Sequence, residues 1–248
     1  ALHRVRLRRP GGQDQGQRPA GDGHPIRRRR AGPGGQLTPL ACPVCEGPHT
    51  RAFVSVGGRD YHRCDTCCTT FLQPAHFLPP DVEHAEYARH QNLASDAGYV
   101  GFLKRLADPL LERLPPGSLG LDHGCGPGPV LAQLLRAAGH TVRLYDPFFH
   151  PDRGALEVQY DFVTCTEVIE HFHHPYKEFK KLFNLLLPGG KLYCKTDFFS
   201  EKNNFDTWYY KNDPTHVFFY HPKTMEWITK NIGFSSYKID GRVTVFVK

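Results

Sequence analysis

Residues 121–128 of the chain are Leu-Asp-His-Gly-Cys-Gly-Pro-Gly, with glycine at the alternate positions 124, 126 and 128. Pro129 and an apolar-rich run at 130–135 follow. Glycine tolerates positive φ angles and lets a ligand approach the backbone, whereas proline suits the first turn of a helix because no hydrogen-bonded N–H is lost there. The stretch predicts a buried strand, a glycine turn and the start of a helix, whose N-terminus favours an anionic group such as a carboxylate.

The glycine spacing separates two classes of cofactor site. A dinucleotide fingerprint requires G-x-G-x-x-G, and counting from Gly124 its third glycine would fall on Pro129. The alternate spacing after Asp122 instead resembles the first motif of class I S-adenosylmethionine-dependent methyltransferases, in which an acidic residue precedes G-x-G-x-G. The resemblance implies that Asp122, Gly124, Gly126 and Gly128 bind this cofactor. The alternative is a glycine-rich turn that binds nothing.

Two later segments extend the resemblance. Residues 141–146 form a β-prone run that ends in Asp146, where a carboxylate can accept hydrogen bonds from both ribose hydroxyls of a nucleotide. Residues 160–166 form a second β-rich run, and the Glu-Val-Ile-Glu-His-Phe segment that follows resembles the one after the family's fourth strand. The resemblance therefore adds Asp146, Thr166 and Glu167 to the cofactor-binding set.

The sequence after this strand completes the pattern. Apolar residues at helical spacing between 176 and 186 predict a helix, and the Leu-Pro-Gly-Gly-Lys junction at 187–191 is typical of these methyltransferases. An Asp-Gly pair at 240–241 predicts a tight hairpin between the last two strands. The resemblance covers roughly residues 85–248. It implies an α/β fold with a Rossmann-like, largely parallel sheet that carries helices on both faces.

One part of the family pattern has no room in this chain. Only fourteen residues separate Asp146 from Asp161. A usual class I enzyme places a helix, a third strand and another helix there, and one crossover alone takes a dozen or more residues. Residues 156–158 are interpreted as a remnant of the third strand. In the family, the segment after that strand often supplies the acid that holds the adenine amino group, and this sequence has no clear counterpart.

Four cysteines upstream have the spacing of a metal site. Cys42-x-x-Cys45 and Cys64-x-x-Cys67 are separated by 18 residues, which matches a four-cysteine zinc site. Four thiolates leave no open coordination position, so we predict a structural zinc in a small ribbon. We also expect chelation to unfold this ribbon and to leave cofactor binding largely intact. The alternative is two unrelated reduced cysteine pairs, and the adjacent Cys68 complicates the ligand assignment.

Composition divides the chain into three regions. Residues 1–40 contain nine arginines, two acids and no apolar periodicity, which predicts a disordered basic tail. A nucleic-acid-binding arm is the functional alternative, and it is not favoured because aromatic residues are absent from the tail. The zinc ribbon is assigned to residues 41–78. The Rossmann-like methyltransferase domain is assigned to 79–248, with a leading helical segment at 79–118.

The candidate catalytic bases are two histidines. His171 lies in the segment after the fourth family strand, and His216 lies in an Asp-Pro-Thr-His-Val run after the fifth. Ligands of such sheets bind outside the carboxyl ends of the strands, and histidine is the commonest general base. For each histidine the alternative is a purely structural role. The resemblance implies methyl transfer to an O, N or C atom of a small-molecule acceptor.

Two other functions were weighed against this one. An RNA methyltransferase would use the tail and ribbon to grip substrate, but residues 41–79 carry three arginines and three acids and so form no basic stripe. A catalytically inactive binding module would explain the missing third-strand region. The sequence shows no apolar run long enough to span a membrane and no secretory h-region, so we expect no membrane partner and a cytoplasmic location. The oligomeric state is left open.

Overall fold

A computed structural model describes residues 40–89 and 92–248 of the chain. The predicted disordered tail falls almost entirely on residues 1–39, which lie outside the described part, as do His90 and Gln91 of the leading segment. Within the described residues, no helix is both long and apolar enough to cross a membrane.

The described residues form ten strands and five α-helices, with short 3-10 turns between them. The strands are β1 (Thr50–Val56), β2 (Arg59–Cys64), β3 (Thr70–Leu72), β4 (Leu119–His123), β5 (Thr141–Tyr145), β6 (Tyr160–Thr166), β7 (Leu186–Lys195), β8 (Phe218–Phe219), β9 (Ser236–Asp240) and β10 (Val243–Val247). The helices are α1 (Pro80–Tyr87), α2 (Ala97–Leu111), α3 (Val130–Ala137), α4 (Pro175–Asn184) and α5 (Pro222–Ile228), the last continued by a π-helical turn (Thr229–Gly233).

Six strands form the main sheet in the order β5-β4-β6-β7-β10-β9. The pairs of β4 with β5, β4 with β6, and β6 with β7 are parallel, and β10 is antiparallel to both of its neighbours. Gly120 is required in β4 because a Cβ atom there would lie 2.1 Å from the ring of Phe162 on the neighbouring strand. The predicted fold class, an α/β fold with a largely parallel sheet, is confirmed.

Helices cover both faces of this sheet. On one face, α2 and α3 bury their apolar stripes against alternate residues of the strands, among them Val142, Phe162 and Tyr193. On the other face, α4 and α5 pack against the intervening residues, among them Leu121 and Val163. This alternation follows from the two-residue period of a strand. Because β4, β5 and β6 are parallel, their carboxyl ends lie at one edge of the sheet.

The short connection after β5 contains no third strand in the described structure. A 3-10 turn at Arg153–Leu156 replaces the expected crossover helix, and Asp152 caps this turn by accepting a hydrogen bond from the Gly154 amide at 2.9 Å. Ala155 is fully buried, and its carbonyl accepts a 2.6 Å hydrogen bond from the Tyr160 hydroxyl. The interpretation of residues 156–158 as a remnant strand is therefore wrong, because the chain is pinned into a turn there.

Element boundaries elsewhere differ by a few residues from the sequence analysis. The helix predicted to run to residue 186 ends at Asn184, and β7 already begins at Leu186. The Pro-Gly-Gly junction therefore lies inside an irregular first part of this strand, where Gly189 has a φ of +77°. The last hairpin turns at Gly241, with a φ of +56°, as the Asp-Gly pair predicts.

The second sheet joins the predicted ribbon to the methyltransferase region. Its order is β1-β2-β3-β8, all antiparallel. The hairpin of β1 and β2 turns at Gly57 and Gly58, which both have positive φ. The fourth strand, β8, comes from far downstream in the sequence, and Phe219 of this strand pairs with Thr70 of β3.

Candidate active site and cysteine cluster

A cavity of about 690 Å³ lies at the carboxyl ends of β4, β5 and β6. It contains every residue that the sequence assigned to cofactor binding and both candidate bases: Asp122, Gly124, Gly126, Gly128, Asp146, Thr166, Glu167, His171 and His216. Helix α1 adds Glu83 and Tyr87 to its wall, and Asn92 lies over the glycine turn.

The glycine turn depends on glycine at specific positions. The Gly124 amide donates to the Tyr145 carbonyl at 2.7 Å, and Gly124 and Gly126 have φ angles of +74° and +64°. A Cβ atom on Gly128 would lie 2.3 Å from the backbone oxygen of Asn92. The turn therefore packs too closely on its neighbours for a side chain at Gly124 or Gly128, and its backbone lines the cavity.

Asp122 lies beneath this turn and is 4% exposed. Its Oδ1 atom accepts a 2.8 Å hydrogen bond from the Thr164 hydroxyl. Burial raises the pKa of the Asp122 carboxyl to about 6, and the Thr164 hydrogen bond opposes this rise. The side chain can therefore carry a negative charge at neutral pH where a cationic ligand compensates its burial.

Asp146 organises the turn that follows β5. Its Oδ2 atom accepts from the Gly126 amide at 3.0 Å, and its Oδ1 atom accepts from the amides of Phe148 and Phe149 at 2.9 and 3.1 Å. Each carboxylate oxygen offers two lone pairs, so these three contacts hold the carboxylate in place and leave one acceptor position, on Oδ2. The acid is thus fixed beside the glycine turn, as a ribose-binding role requires.

Glu167 and Thr166 follow at the end of β6. Glu167 has a φ of +52°, and its carboxylate accepts from Arg242 Nη2 at 2.6 Å and from the Tyr210 hydroxyl at 3.0 Å. The pKa of the Glu167 carboxyl is raised to about 7, and the main cause is its desolvation by burial. Thr166 presents a buried Oγ1 atom that has no hydrogen-bond partner among the described residues. The contact with Arg242 could not be predicted from the sequence, because it crosses 75 residues.

The structure brings the two candidate bases together. The rings of His171 and His216 lie 4.8 Å apart, centroid to centroid. His171 Nδ1 lies 3.0 Å from the Thr215 carbonyl, and His216 Nδ1 lies 2.7 Å from the Tyr210 carbonyl. Because a carbonyl only accepts, each Nδ1 carries the proton and each Nε2 is left as the basic atom.

Two acids surround the Nε2 atom of His216. Asp213 Oδ2 is 3.8 Å away and Glu170 Oε1 is 3.9 Å away. Glu170 is fully buried, it accepts a hydrogen bond from the Tyr210 hydroxyl, and burial raises its pKa to about 7. Glu170 and Tyr210 were not predicted as site residues from the sequence. The Glu-x-x-Glu-His spacing at 167–171 could have indicated Glu170, because the 3-10 turn at Ile169–His171 brings its side chain to the site.

Residues Glu170, His171 and His216 also form a group with metal-binding potential. Their ligand atoms all lie within 4.8 Å of one another.

Helix α1 closes this end of the cavity. The Tyr87 hydroxyl donates to the buried carboxylate of Glu83 at 2.7 Å, and the Tyr87 ring meets His171 edge-on at 5.2 Å. Part of the leading segment therefore contacts the histidine end of the site directly.

The four predicted zinc ligands converge at one point. The Sγ atoms of Cys42, Cys45, Cys64 and Cys67 all lie within 4.8 Å of one another. Cys42 and Cys67 are separated by 3.7 Å, and Cys45 and Cys64 by 3.5 Å. Cys68 does not belong to this group. Four thiols at such distances form a donor set that fits a closed tetrahedral zinc site.

Comparison with known proteins identifies the family. A family model described as a methyltransferase domain matches residues 88–238, which is more than half of the chain. The chain belongs to this methyltransferase family. The predicted resemblance to class I S-adenosylmethionine-dependent methyltransferases is thereby confirmed.

Curated relatives of this methyltransferase domain include ubiquinone biosynthesis O-methyltransferases. The protein of Escherichia fergusonii is 29% identical over 154 residues, which cover 48% of this chain and 63% of the relative. The protein of Klebsiella pneumoniae strain 342 is 29% identical over 153 residues, with the same coverage. The match therefore spans less than two thirds of the length of these relatives.

Solved structures show similar methyltransferase folds at low identity. A 1,6-didemethyltoxoflavin-N1-methyltransferase from Burkholderia thailandensis is 15% identical, with coverage of 80% of this chain and 99% of that chain and a TM-score of 0.45. A possible histamine N-methyltransferase from Thermotoga maritima is 15% identical, with coverage of 59% and 92% and a TM-score of 0.38.

Proposed function

We propose that this methyltransferase transfers a methyl group from S-adenosylmethionine to an O, N or C atom of a small-molecule acceptor. The observation that carries the proposal is the shared cavity. The glycine turn, Asp122 and Asp146 lie at one end of it, and the His171–His216 pair lies at the other. The family membership supports the reaction type.

The residues present fit the cofactor at the glycine end. The backbone of Gly124, Gly126 and Gly128 lines the cavity, and Asp146 is fixed beside it with an acceptor position left for a ribose hydroxyl. Asp122 supplies a buried carboxyl, whose negative charge is compatible with a cationic ligand. The short connection at 147–159 lines the cavity with Pro147, Phe148 and Phe149 but with neither of its acids, so recognition of the adenine base rests on other groups than the family's usual acid.

At the other end, the chain's own residues position and deprotonate the acceptor. His216 is held by its Nδ1–H bond to the Tyr210 carbonyl, which orients Nε2 as the proton acceptor. Asp213 and Glu170 stabilise the imidazolium that forms when Nε2 takes the proton. The bound cofactor supplies an activated methyl group, so the protein contributes position and proton removal and needs no nucleophile of its own.

We further propose that the cysteine cluster holds a structural zinc ion. The support is the four-thiol donor set at the expected spacing. Metal analysis of the purified chain should give one zinc per molecule, and Cys42→Ser should lose it. Loss of metal in Cys68→Ser with retention in Cys67→Ser would overturn the ligand assignment.

Calorimetric titration with S-adenosylhomocysteine tests the cofactor assignment. Wild-type protein should bind one equivalent, and Asp146→Asn should bind at least about tenfold more weakly because the ribose contact loses its charged acceptor. Transfer of labelled methyl groups to a fractionated small-molecule extract then tests the acceptor class. Labelling confined to RNA or protein in an unfractionated extract would contradict a small-molecule acceptor.

A further inference from the structure

The ribbon (residues 41–78) is attached by backbone hydrogen bonds to the segment that carries His216. The Leu72 amide, on β3, donates to the Val217 carbonyl at 2.8 Å. The Val217 amide in turn donates to the Glu170 carbonyl at 3.0 Å. Val217 directly follows His216, and Glu170 directly precedes His171. Two consecutive backbone hydrogen bonds, both made by Val217, therefore connect the ribbon to the segments that carry the two candidate bases.

A second attachment lies on the other side of the same segment. The guanidinium of Arg59, on β2, donates through Nη2 to the Lys211 carbonyl. Lys211 follows Tyr210, whose carbonyl holds His216 and whose hydroxyl contacts Glu167 and Glu170. The segment at 210–217, here the acceptor-side segment, is thus fixed to the ribbon near each of its ends.

Aromatic packing fills the space between these two attachments. Tyr61 of the ribbon meets Phe205 edge-on at 4.8 Å and Phe219 at 5.9 Å, and both contacts are buried. Trp208 packs on Phe219 at 5.6 Å and on Tyr210 at 5.3 Å. The packing therefore runs continuously from the ribbon to the tyrosine that holds His216.

The cysteine cluster itself has a direct link to this side of the molecule. The buried Thr224 hydroxyl, at the start of α5, donates to the carbonyl of Cys67 at 2.8 Å. By contrast, the described hydrogen bonds and ring contacts of the ribbon include none to residues 122–130 or to Asp146. The ribbon supports the histidine end of the cavity, whereas the glycine end is held by the main sheet and Asn92.

We propose that the ribbon is a positioning element for the acceptor end of the site, with Arg59 as its principal positioning side chain. The ribbon fixes the acceptor-side segment, and this segment fixes the orientation of His216. Loss of the Arg59 contact releases the Lys211 carbonyl and lets Tyr210 and His216 move together. The glycine turn keeps its geometry, so loss of the Arg59 contact should change the orientation of His216 and leave the affinity for the cofactor unchanged. The part of this inference that concerns catalysis rests on the proposed methyl transfer.

The test compares Arg59→Ala with Arg51→Ala in the full zinc-loaded chain. Arg51 is a matched control because it lies on the same hairpin and makes only an exposed ion pair with Asp65, at 2.9 Å. The first measurement is the imidazole 1H–15N spectrum, with the signals of His171 and His216 assigned through His171→Asn and His216→Asn. The second is the affinity for S-adenosylhomocysteine. The third is the rate of labelled methyl transfer.

Arg59→Ala should shift or broaden the His216 signal and lower the transfer rate by about tenfold to hundredfold, the range expected for a misplaced catalytic group. Its affinity for S-adenosylhomocysteine should stay within about threefold of wild type, a difference below 1 kcal/mol. Arg59→Lys, which retains a donor for the carbonyl, should recover part of the rate. Arg51→Ala should match wild type in all three measurements.

An unchanged His216 signal and rate in Arg59→Ala would overturn the positioning role, as would an equal loss of cofactor affinity and rate. These outcomes differ from failure of the proposed function. In that case wild-type protein would neither bind S-adenosylhomocysteine nor transfer methyl groups, while the His216 signal would still report whether Arg59 positions it.

Discussion

The two ends of the cavity are built in different ways. Apart from Asn92, which packs on Gly128, the glycine end comes from residues 122–146, which are close together in sequence and held by the parallel strands β4 and β5. The histidine end is assembled from distant segments: α1, the turn after β6, the acceptor-side segment and, through it, the ribbon. A local motif can build a cofactor cradle, whereas the acceptor site needs several distant segments to hold one imidazole.

The largest effect that separates the two ends is expected from metal removal. Structural zinc contributes on the order of 10 kcal/mol to the folding of small sites, and a segment as short as 41–78 lacks a core of its own. The ribbon shares a sheet and a core with β8, so its loss should also disorder the histidine end. The expectation from the sequence, an unfolded ribbon with cofactor binding largely intact, is thus extended to include the histidine end.

Hydrogen exchange followed by mass spectrometry checks this prediction. After chelation, protection should fall in residues 41–78 and 209–221 and remain in β4 and α3. Readdition of zinc provides the control for reversibility. Retention of protection across 209–221 would show that the ribbon folds as an independent unit, and loss in β4 as well would show that the two ends are not separate.

Asp122 tests the glycine end through pH. The folded pKa of about 6 lies above the ordinary value of 3.8, so the folded state binds this proton more tightly. The free energy of unfolding therefore falls as pH rises from about 4 to about 6. Asp122→Asn removes the buried charge and should be more stable than wild type at pH 8, by up to about 3 kcal/mol. The two proteins should converge near pH 4.

Denaturant unfolding at several pH values measures this difference for the protein without ligand. A stability gap that is constant across pH 4–8 would contradict a raised pKa for Asp122. The same variant should bind S-adenosylhomocysteine more weakly, so that stability and ligand affinity change in opposite directions.

Gly128 gives the smallest of these effects and tests the fit of the turn. In Gly128→Ala, the new Cβ atom would lie 2.3 Å from the Asn92 oxygen, and the backbone shift needed should cost about 1–3 kcal/mol. Gly101→Ala is the control, because Gly101 lies in α2 and a Cβ atom there meets nothing within 4 Å. That control should be neutral or stabilising by up to about 1 kcal/mol, as measured by thermal unfolding. Equal thermal stability of Gly128→Ala and Gly101→Ala would contradict a close contact between Asn92 and Gly128.

The same division explains what the sequence could and could not predict. The strand, turn and helix around Gly124–Gly126 follow from local patterns, and so does the convergence of the cysteines. The pairing of β3 with β8 joins residues about 150 apart, and neither strand is long enough to show a pattern. Arg242 and Tyr210 reach Glu167 through tertiary packing alone. The short connection after β5 already indicated that the third strand is missing. The sequence did not predict that the capped 3-10 turn at Arg153–Leu156 replaces it.

Calorimetric titration of S-adenosylhomocysteine into wild type, Asp146→Asn and His216→Asn tests the division of the cavity into a cofactor end and an acceptor end, because it addresses both ends with one ligand. We expect one site per wild-type chain and a loss of affinity of about tenfold or more in Asp146→Asn. His216→Asn should bind almost as wild type and lose transfer activity by about a hundredfold or more. No binding by wild type, or equal losses of affinity in the two variants, would contradict a cofactor end and an acceptor end in this cavity.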